Sequence, residues 1–431
     1  MSNFKDLNKN CQSIDGSPLG GTLTGKPMRE AQGLSSEGVQ ALITCTPQLA
    51  SLKTVYSNID TLHLSVYADL SGSNLLEEIE KSREVAREFE KEFIPFTYFS
   101  PQWNVHRSGR RFFTYHISMA DTHIYFNKRS VHGNFPTCLI EIGSMSSHHP
   151  GAFSVFEDIK KFLKSCDISI KKHHVTRVDL STDFVNINFQ DLDLHNIEKW
   201  ITRAIDAHVH YVGRSVSGIS IGKGDLMCRI YDKRKELNVK QATAKTDFFN
   251  RQWGLVSDDK KTPVVRVEFQ FRREALKEFK TEDLYQIDTV DDLQGVLNGL
   301  WGYSSKSWAK HCETEVDRSN NHQSRDAVIS SFWQLVQLVD FNAENPNFWR
   351  HREKNQYVNV KALIDQGIGC LTSAVAASIE SMDDFKDVAI DASTIVWREL
   401  RNRIEHHTDE LYEKMQIVFN RNSLNLSKTY F

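Results

Sequence analysis

A tyrosine stands among cations in the stretch RIYDKRKEL, residues 229–237: Tyr231 follows Arg229 and precedes Lys233, with Asp232 beside it. Two other stretches carry acids at alternating positions. In TRVDLSTDF, Val178, Leu180 and Thr182 alternate with Arg177, Asp179, Ser181 and Asp183; in VVRVEFQF, Val265, Val267, Phe269 and Phe271 alternate with Arg266, Glu268 and Gln270. Successive side chains of a strand point to opposite faces, so each stretch reads as a strand with one apolar and one polar side. If the three share a sheet, Asp179, Asp183, Glu268, Arg229, Arg266 and Tyr231 converge on its polar face. Carboxylates are hard oxygen ligands for Mg²⁺ or Mn²⁺, and such a cation polarises a phosphate and neutralises developing charge. A phenol has an ordinary pKa near 10 and must be activated by a base, a cation or a metal before it attacks phosphorus. Arginines hold phosphate oxygens through paired hydrogen bonds. The same alternation also arises on a half-exposed sheet without any chemistry, and tyrosine is a favoured strand residue.

HVHYV, residues 208–212, offers a second arrangement. His208 and His210 would share one strand face, and neutral imidazoles bind divalent metals; Tyr211 or Tyr231 would then be the nucleophile. The pairs His148/His149, His173/His174 and His406/His407 read as surface or loop residues.

The bulk properties set the frame for these elements. With 431 residues, 40% hydrophobic and 25% charged, the chain has the composition of a soluble globular protein of one large or two smaller domains. No apolar run approaches the roughly 20 residues that span a bilayer. The first residues lack an apolar signal core, and seven cysteines stand without C-x-x-C pairs. The expectation is a cytoplasmic protein with reduced thiols and no membrane association. A net charge of −3 argues against uniform polyanion binding, but basic residues cluster at Arg107, Arg110 and Arg111, at Lys160–Lys172, and at Arg229–Lys235. Several clusters in one half of the chain favour a local polyanion site.

Along the chain, residues 1–54 read as a flexible arm rich in Gly, Ser, Thr and Asn. Residues 55–278 alternate strand and helix patterns: a strand at 59–70, a charged helix at 75–93, a hairpin around Ala120 and Asp121, a strand at 137–145, an amphipathic helix at 153–167, a strand at 173–187, a helix at 194–207, then the strands carrying His208, Tyr231 and Glu268. Residues 279–431 are mainly helical in pattern. The predicted class is therefore α+β: an antiparallel-rich sheet with helices, followed by a mainly α-helical C-terminal domain. Trp301, Trp308, Trp333, Trp349 and Trp397 lie at helical spacing among apolar residues and are expected in the core. The basic run at 397–407 reads as a solvated helix face.

The order HVTRVDLSTDF, GDLMCRIYDKRKE, VVRVEFQFRREAL resembles the replication-initiation-factor (Rep_trans) family, the rolling-circle initiators of plasmids and filamentous phages and related relaxases. The resemblance covers roughly 55–278 and is sharp over those three stretches; TCLIEIGSM, with Glu141, matches an earlier family strand loosely. It implies a nickase domain over 55–278 that cuts an origin with a tyrosine, forms a 5′-phosphotyrosyl intermediate, leaves a 3′-hydroxyl for polymerase and later rejoins the strand. By that likeness Tyr231 is the nucleophile. Asp179 and Glu268 carry Mg²⁺ or Mn²⁺ with Asp183 as a further candidate, and Arg177, Arg229, Lys233 and Arg266 contact DNA. The implied partners are origin DNA with a single-stranded or extruded nick site, a host helicase and polymerase, and a second copy of the chain. A non-catalytic sequence-specific DNA-binding protein and a His208/His210 nickase remain the alternatives.

Overall fold

The computed structural model describes residues 49–96, 102–127, 135–281, 286–319, 326–343 and 348–350, together with helical positions at 367–370, 373, 394, 397–398, 401–402 and 405–406. The expected N-terminal arm lies almost entirely outside the described residues. Two compact units are present, Met1–Arg350 and His351–Phe431.

The first unit is built on one antiparallel sheet, as the alternating patterns require. Its strands are β1 (Thr54–Asp69), β2 (Phe93–Phe96), β3 (Trp103–His106), β4 (Tyr115–Met119), β5 (Thr122–Phe126), β6 (Cys138–Ile142), β7 (Ser169–Val185), β9 (Ala207–Val212), β10 (Ser215–Ile221), β11 (Leu226–Asp232) and β12 (Val264–Arg272), with β8 (Trp200–Thr202) outside it. The strand order is β2-β3-β4-β5-β6-β1-β7-β12-β11-β10-β9. Each half thus begins with a long central strand, β1 or β7, runs out to an edge and returns inward as a meander. The α+β class is as expected, and Ala120 and Asp121 turn the β4–β5 hairpin, Ala120 with φ 51°.

One face of the sheet is continuously apolar, because the register aligns Val178 with Leu62 and Leu62 with Ile142. Helix α1 (Leu75–Glu88) and helix α2 (Ala152–Ser165) follow the expected amphipathic patterns, and α2 buries Val155, Phe156, Ile159 and Phe162. Helices α3 (Lys233–Val239), α4 (Thr243–Gln252) and α5 (Arg273–Glu278) follow β11 and β12. Next come α6 (Val290–Gln294), α7 (Leu297–Tyr303) and α8 (Ser331–Gln337). These last three lie in the same core as the sheet: Trp301 meets Phe269 with ring centroids 4.9 Å apart, and Phe332 meets Phe184 at 4.9 Å.

The boundary expected at 278/279 therefore falls inside the first compact unit, which runs to Arg350. The helical periodicity after 280 is real, but its apolar stripe completes the sheet's core instead of making a separate one. Two other expectations are corrected. Residues 194–207 form a short 3₁₀ turn at Ile197–Lys199 and then β8, which pairs with Ala309–His311. Trp200 decides this: it is buried, donates from Nε1 to the Leu194 carbonyl at 2.9 Å and packs on Trp333, so tertiary burial overrides a local helical pattern. Trp301, Trp308 and Trp333 are buried as expected, whereas Trp349 and Trp397 are 42% and 69% exposed. In the second unit, Arg398, Arg401 and Glu405 are exposed and Arg401 pairs with Glu405 one turn on, as a solvated face should. Among the described residues no helix is long and apolar enough to cross a membrane.

Trp333 is a central brace of the first unit, donating to the Ser305 and Ala309 carbonyls and packing on Phe269 and Trp200. Trp333→Ala is expected to lower unfolding stability by about 3–5 kcal/mol, seen as a reduced midpoint in chemical denaturation. A chain ending at Glu278 is expected to lose the cooperative transition altogether.

Candidate active site

The opposite face of the sheet is polar across β11, β12, β7 and β1, and the register sets its side chains in rows. Tyr231 pairs with Arg266, Arg266 with Asp183 and Asp183 with Tyr56. In the next row Arg229 pairs with Glu268, Glu268 with Ser181 and Ser181 with Asn58. A third row runs from Met227 through Gln270 and Asp179 to Thr61. The three stretches singled out in the sequence are therefore neighbours with their polar sides together. The register between β1 and β7 shifts between Ile59 and Thr61, so Asp60 is the extra residue of a β-bulge. Bulges re-aim side chains, and here the bulge puts the Asp60 carboxylate against the same cluster.

Tyr231 is half-buried, and its hydroxyl donates to Glu268 Oε2 at 3.1 Å. Across from it on β10 stands Gly218, where a Cβ would come within 2.8 Å of both the Ile230 carbonyl oxygen and the Tyr231 Cβ. Glycine leaves the phenol its place. Arg229 donates to Glu268 Oε1 at 2.7 Å and to Gln270 Oε1 at 2.6 Å, with its side chain 32% exposed. Arg177 holds Asp179 with both Nε and Nη2, the former at 2.8 Å.

Asp183 and Arg266, expected at metal and phosphate, are engaged with each other. Arg266 is fully buried and donates to the two Asp183 oxygens at 2.6 and 2.7 Å, while its remaining Nη1 reaches Asp60 Oδ1 at 2.5 Å. Trp253 Nε1 adds a hydrogen bond to Asp183 Oδ2 at 2.8 Å, and His148 Nε2 lies 3.3 Å from Asp60 Oδ1. His148 is thus buried in the cluster and not on the surface as expected. Lys233, another expected DNA contact, is buried too: its ammonium sits 5.6 Å from the Tyr231 ring centre and 5.0 Å from that of Phe249, and it pairs with Glu236 at 2.6 Å.

The proton affinities follow from this packing. Burial first, then the neighbouring Asp179 and Asp60 charges, push Glu268 up to about 7. Burial also raises Asp179, against the pull of Arg177. Asp60 behaves oppositely: burial works against its charge, but Arg266, the His148 hydrogen bond and Lys233 outweigh burial and hold it well below the usual carboxylate range. Tyr231 is raised well above 10 by burial and then by Glu268. Burial and the adjacent Arg266 lower Lys233. The cluster contains one carboxylate that takes up a proton near neutrality, hydrogen-bonded to the phenol.

Asp60, Asp179 and Glu268 are oxygen donors of the type Mg²⁺ and Mn²⁺ prefer. Ser181 Oγ and Gln270 Nε2, which flank Glu268 and Asp179 in the rows, are buried without a hydrogen-bond partner. Burial and the neighbouring Asp179 and Asp60 charges that lift Glu268, together with the orphaned Ser181 hydroxyl, fit a place for a cation. His208 and His210 do share a face of the edge strand β9, and His210 aligns through Gly218 with Tyr231. His210 bonds Ser220 Oγ at 2.7 Å, and both rings are exposed. Among the described residues, the three metal-ligating groups whose donor atoms gather within 4.8 Å are instead His106, His116 and His123. Among the described residues no third ligand completes the paired-histidine site at His208 and His210. Tyr211, the alternative nucleophile, is 61% exposed at the sheet edge. Glu141 lies on β6, paired with Arg110 and close to His63, away from the tyrosine.

Asp60 is the residue that alternation misses, since a bulge cannot be read from a period of two. Its signal in the sequence is a lone aspartate inside an otherwise strand-like run, IDTLHLSVY.

No family model matches the chain, and no curated protein does. A search of solved structures finds similarity to the rolling-circle replication initiator protein from Geobacillus stearothermophilus, at 14% identity and a TM-score of 0.35, over 68% of this chain and all of that one.

Proposed function

We propose that this chain is a DNA nicking and joining enzyme of the replication-initiator type, with Tyr231 as nucleophile. The observation that carries the reading is the hydrogen bond from the half-buried Tyr231 hydroxyl to Glu268, a carboxylate whose proton affinity lies near neutrality. A general base works best when its pKa is close to the working pH. Glu268 accepts the phenolic proton as Tyr231 Oη attacks the phosphorus of a backbone phosphate. The new P–O bond is to the tyrosine; the bond to the 3′ oxygen breaks, and that oxygen leaves as a hydroxyl after taking up a proton. Run in reverse, the same residues rejoin the strand. Arg229 and Arg177 are the partly exposed guanidiniums that meet the phosphate. Arg266 and Asp183 hold the floor of the site.

Asp179 and Asp60, beside Glu268, are the residues that would hold Mg²⁺ or Mn²⁺, which when bound supplies charge neutralisation at the phosphate. The partner is origin DNA presenting an unpaired segment, since the phenol must approach the phosphate in line. Helicase, polymerase and a second copy follow from the sequence resemblance. The non-catalytic alternative is a test outcome: DNA shifted in a gel but never cut.

Three outcomes are expected. Incubated with the replicon's own supercoiled DNA and Mn²⁺, the protein nicks it. The peptide holding Tyr231 then gains nucleotide mass in a mass spectrum, and Tyr231→Phe reduces nicking by about 10³-fold or more, on the scale of losing a covalent nucleophile. The double variant His208→Ala/His210→Ala keeps nicking; its loss there, with Tyr231 unmodified, would move the reading to the β9 histidines. Protons compete with the cation at Glu268, so the Mn²⁺ concentration for half-activity rises as pH falls through about 7. Glu268→Gln abolishes that dependence of Mn²⁺ binding on pH. Stability of the cation-free protein has the matching sign. The folded value near 7 lies above the ordinary 4.5, so this group's contribution falls as pH rises from about 4.5 to 7. Thermal melts with and without Mn²⁺ at pH 5 and 8 check it, the cation raising the melting temperature more at pH 8.

A further inference from the structure

The polar face does not stop at the tyrosine cluster. In one row, Arg177 pairs with His63, His63 with Glu141, Glu141 with His123 and His123 with Ser118, which carries it onto β5 and β4. There three imidazoles from three strands meet: His106 of β3, His116 of β4 and His123 of β5, with one donor nitrogen from each within 4.8 Å of the others. We propose that His106, His116 and His123 form a second metal site, for a borderline transition-metal ion such as Zn²⁺, separate from the Tyr231 centre.

Neutral imidazole nitrogen is a common protein donor for Zn²⁺, and three histidines leaving a fourth position for water is a familiar ligand set. His116 Nε2 and His123 Nδ1 already lie 2.9 Å apart. Two nitrogens on a tetrahedral zinc at about 2.0–2.1 Å stand about 3.4 Å apart, so the pair opens by roughly half an ångström. The His106 ring lies parallel to His116 at 3.7 Å, and their lone pairs converge by a fanning about χ2, a broad torsion in histidine. The supporting contacts are of the kind that orient ligating rings. Ser118 Oγ is 2.8 Å from His106 Nε2, Tyr125 stacks on His116 at 4.3 Å, and His116 also bonds the Ser108 backbone. All three rings are half-buried, which admits an ion and a water. Burial holds each ring in its neutral form, His116 down to about 3. Arg110, whose charge bears on His116 and His123, is matched by its ion pair with Glu141.

The two sites differ in chemistry: oxygen donors around Tyr231, nitrogen donors here. Five strand steps separate β5 from β11, which at about 4.8 Å each is on the order of 24 Å. The ion would tie together β3, β4 and β5, strands of only 4, 5 and 5 residues.

The test is metal retention by the full chain, stripped with chelator, loaded with Zn²⁺ and desalted. One zinc per chain is expected in the wild type and in Tyr231→Phe, with a higher melting temperature than the stripped protein. His123→Gln is expected to weaken binding at least tenfold, and His116→Gln/His123→Gln to abolish it. X-ray absorption of the zinc-loaded wild type needs no variant to fold and should show three imidazoles in the first shell. Failure to retain zinc, retention unchanged in the double variant, or a first shell of oxygens alone overturns the proposal. Because the readout is zinc and not nicking, it stands or falls independently of the role given to Tyr231.

Discussion

The arrangement of the polar face depends on one buried guanidinium. Arg266 lies on the strand between β7 and β11, and its three donor nitrogens reach Asp183 on β7 and Asp60 at the β1 bulge. An arginine without those carboxylates would be a bare charge in the interior, and the carboxylates without it would be worse. Removing one partner of such a pair typically costs about 3–5 kcal/mol. The network therefore pins three strands in register, and the register in turn sets Tyr231 beside Arg266 and one row from Glu268. The same cation determines how the acids differ. Asp60, touching Arg266, stays ionised; Glu268, one row farther and facing Asp179, is pushed to about 7. Two carboxylates close in space to one arginine are thereby given different proton affinities, which is the separation that acid–base chemistry needs.

Much of this was legible in the sequence because strands of period two write their two faces in alternate letters. Asp179, Glu268, Arg229 and Tyr231 could be placed on one surface from alternation alone, and the register brings them together. What alternation cannot supply is the partner of each charge. Arg266, Lys233 and Asp183 look as available in the sequence as Arg229, yet they are buried, Arg266 and Lys233 against Phe249 and Asp183 against Trp253. Nothing local in VVRVEFQF says that Arg266 faces a tryptophan-capped aspartate from a strand 83 residues away. Asp60 was hidden for another reason: the bulge that presents it breaks the parity that a reader counts.

The histidine triad and the domain boundary were missed for a shared cause, long-range pairing. His106, His116 and His123 are scattered singly over three short strands, and only the meander of β3, β4 and β5 gathers them. Likewise the helical stripe of residues 290–337 is indistinguishable in sequence from the core of an independent bundle. Its apolar residues find their partners on Phe184 and Phe269, which the sequence places in the sheet. A period shows which side of an element is apolar, but not whose apolar side it meets.

The division of the sheet between its faces then explains why the polar cluster sits where it does. The apolar face packs against α1, α2 and the segment carrying α6 to α8, so the polar side chains gather on the other. On that face α3 and α4 close one end, and burial is deep enough there to shift proton affinities while Arg229, Arg177 and Tyr231 remain partly open. A fully open face would leave Glu268 near its ordinary 4.5, too weak a base for a phenol. A fully closed one would admit no phosphate. The helix pair that follows Tyr231 directly in the chain sets the compromise: the segment that carries Tyr231 also builds the partial roof that raises the proton affinity of its neighbour Glu268.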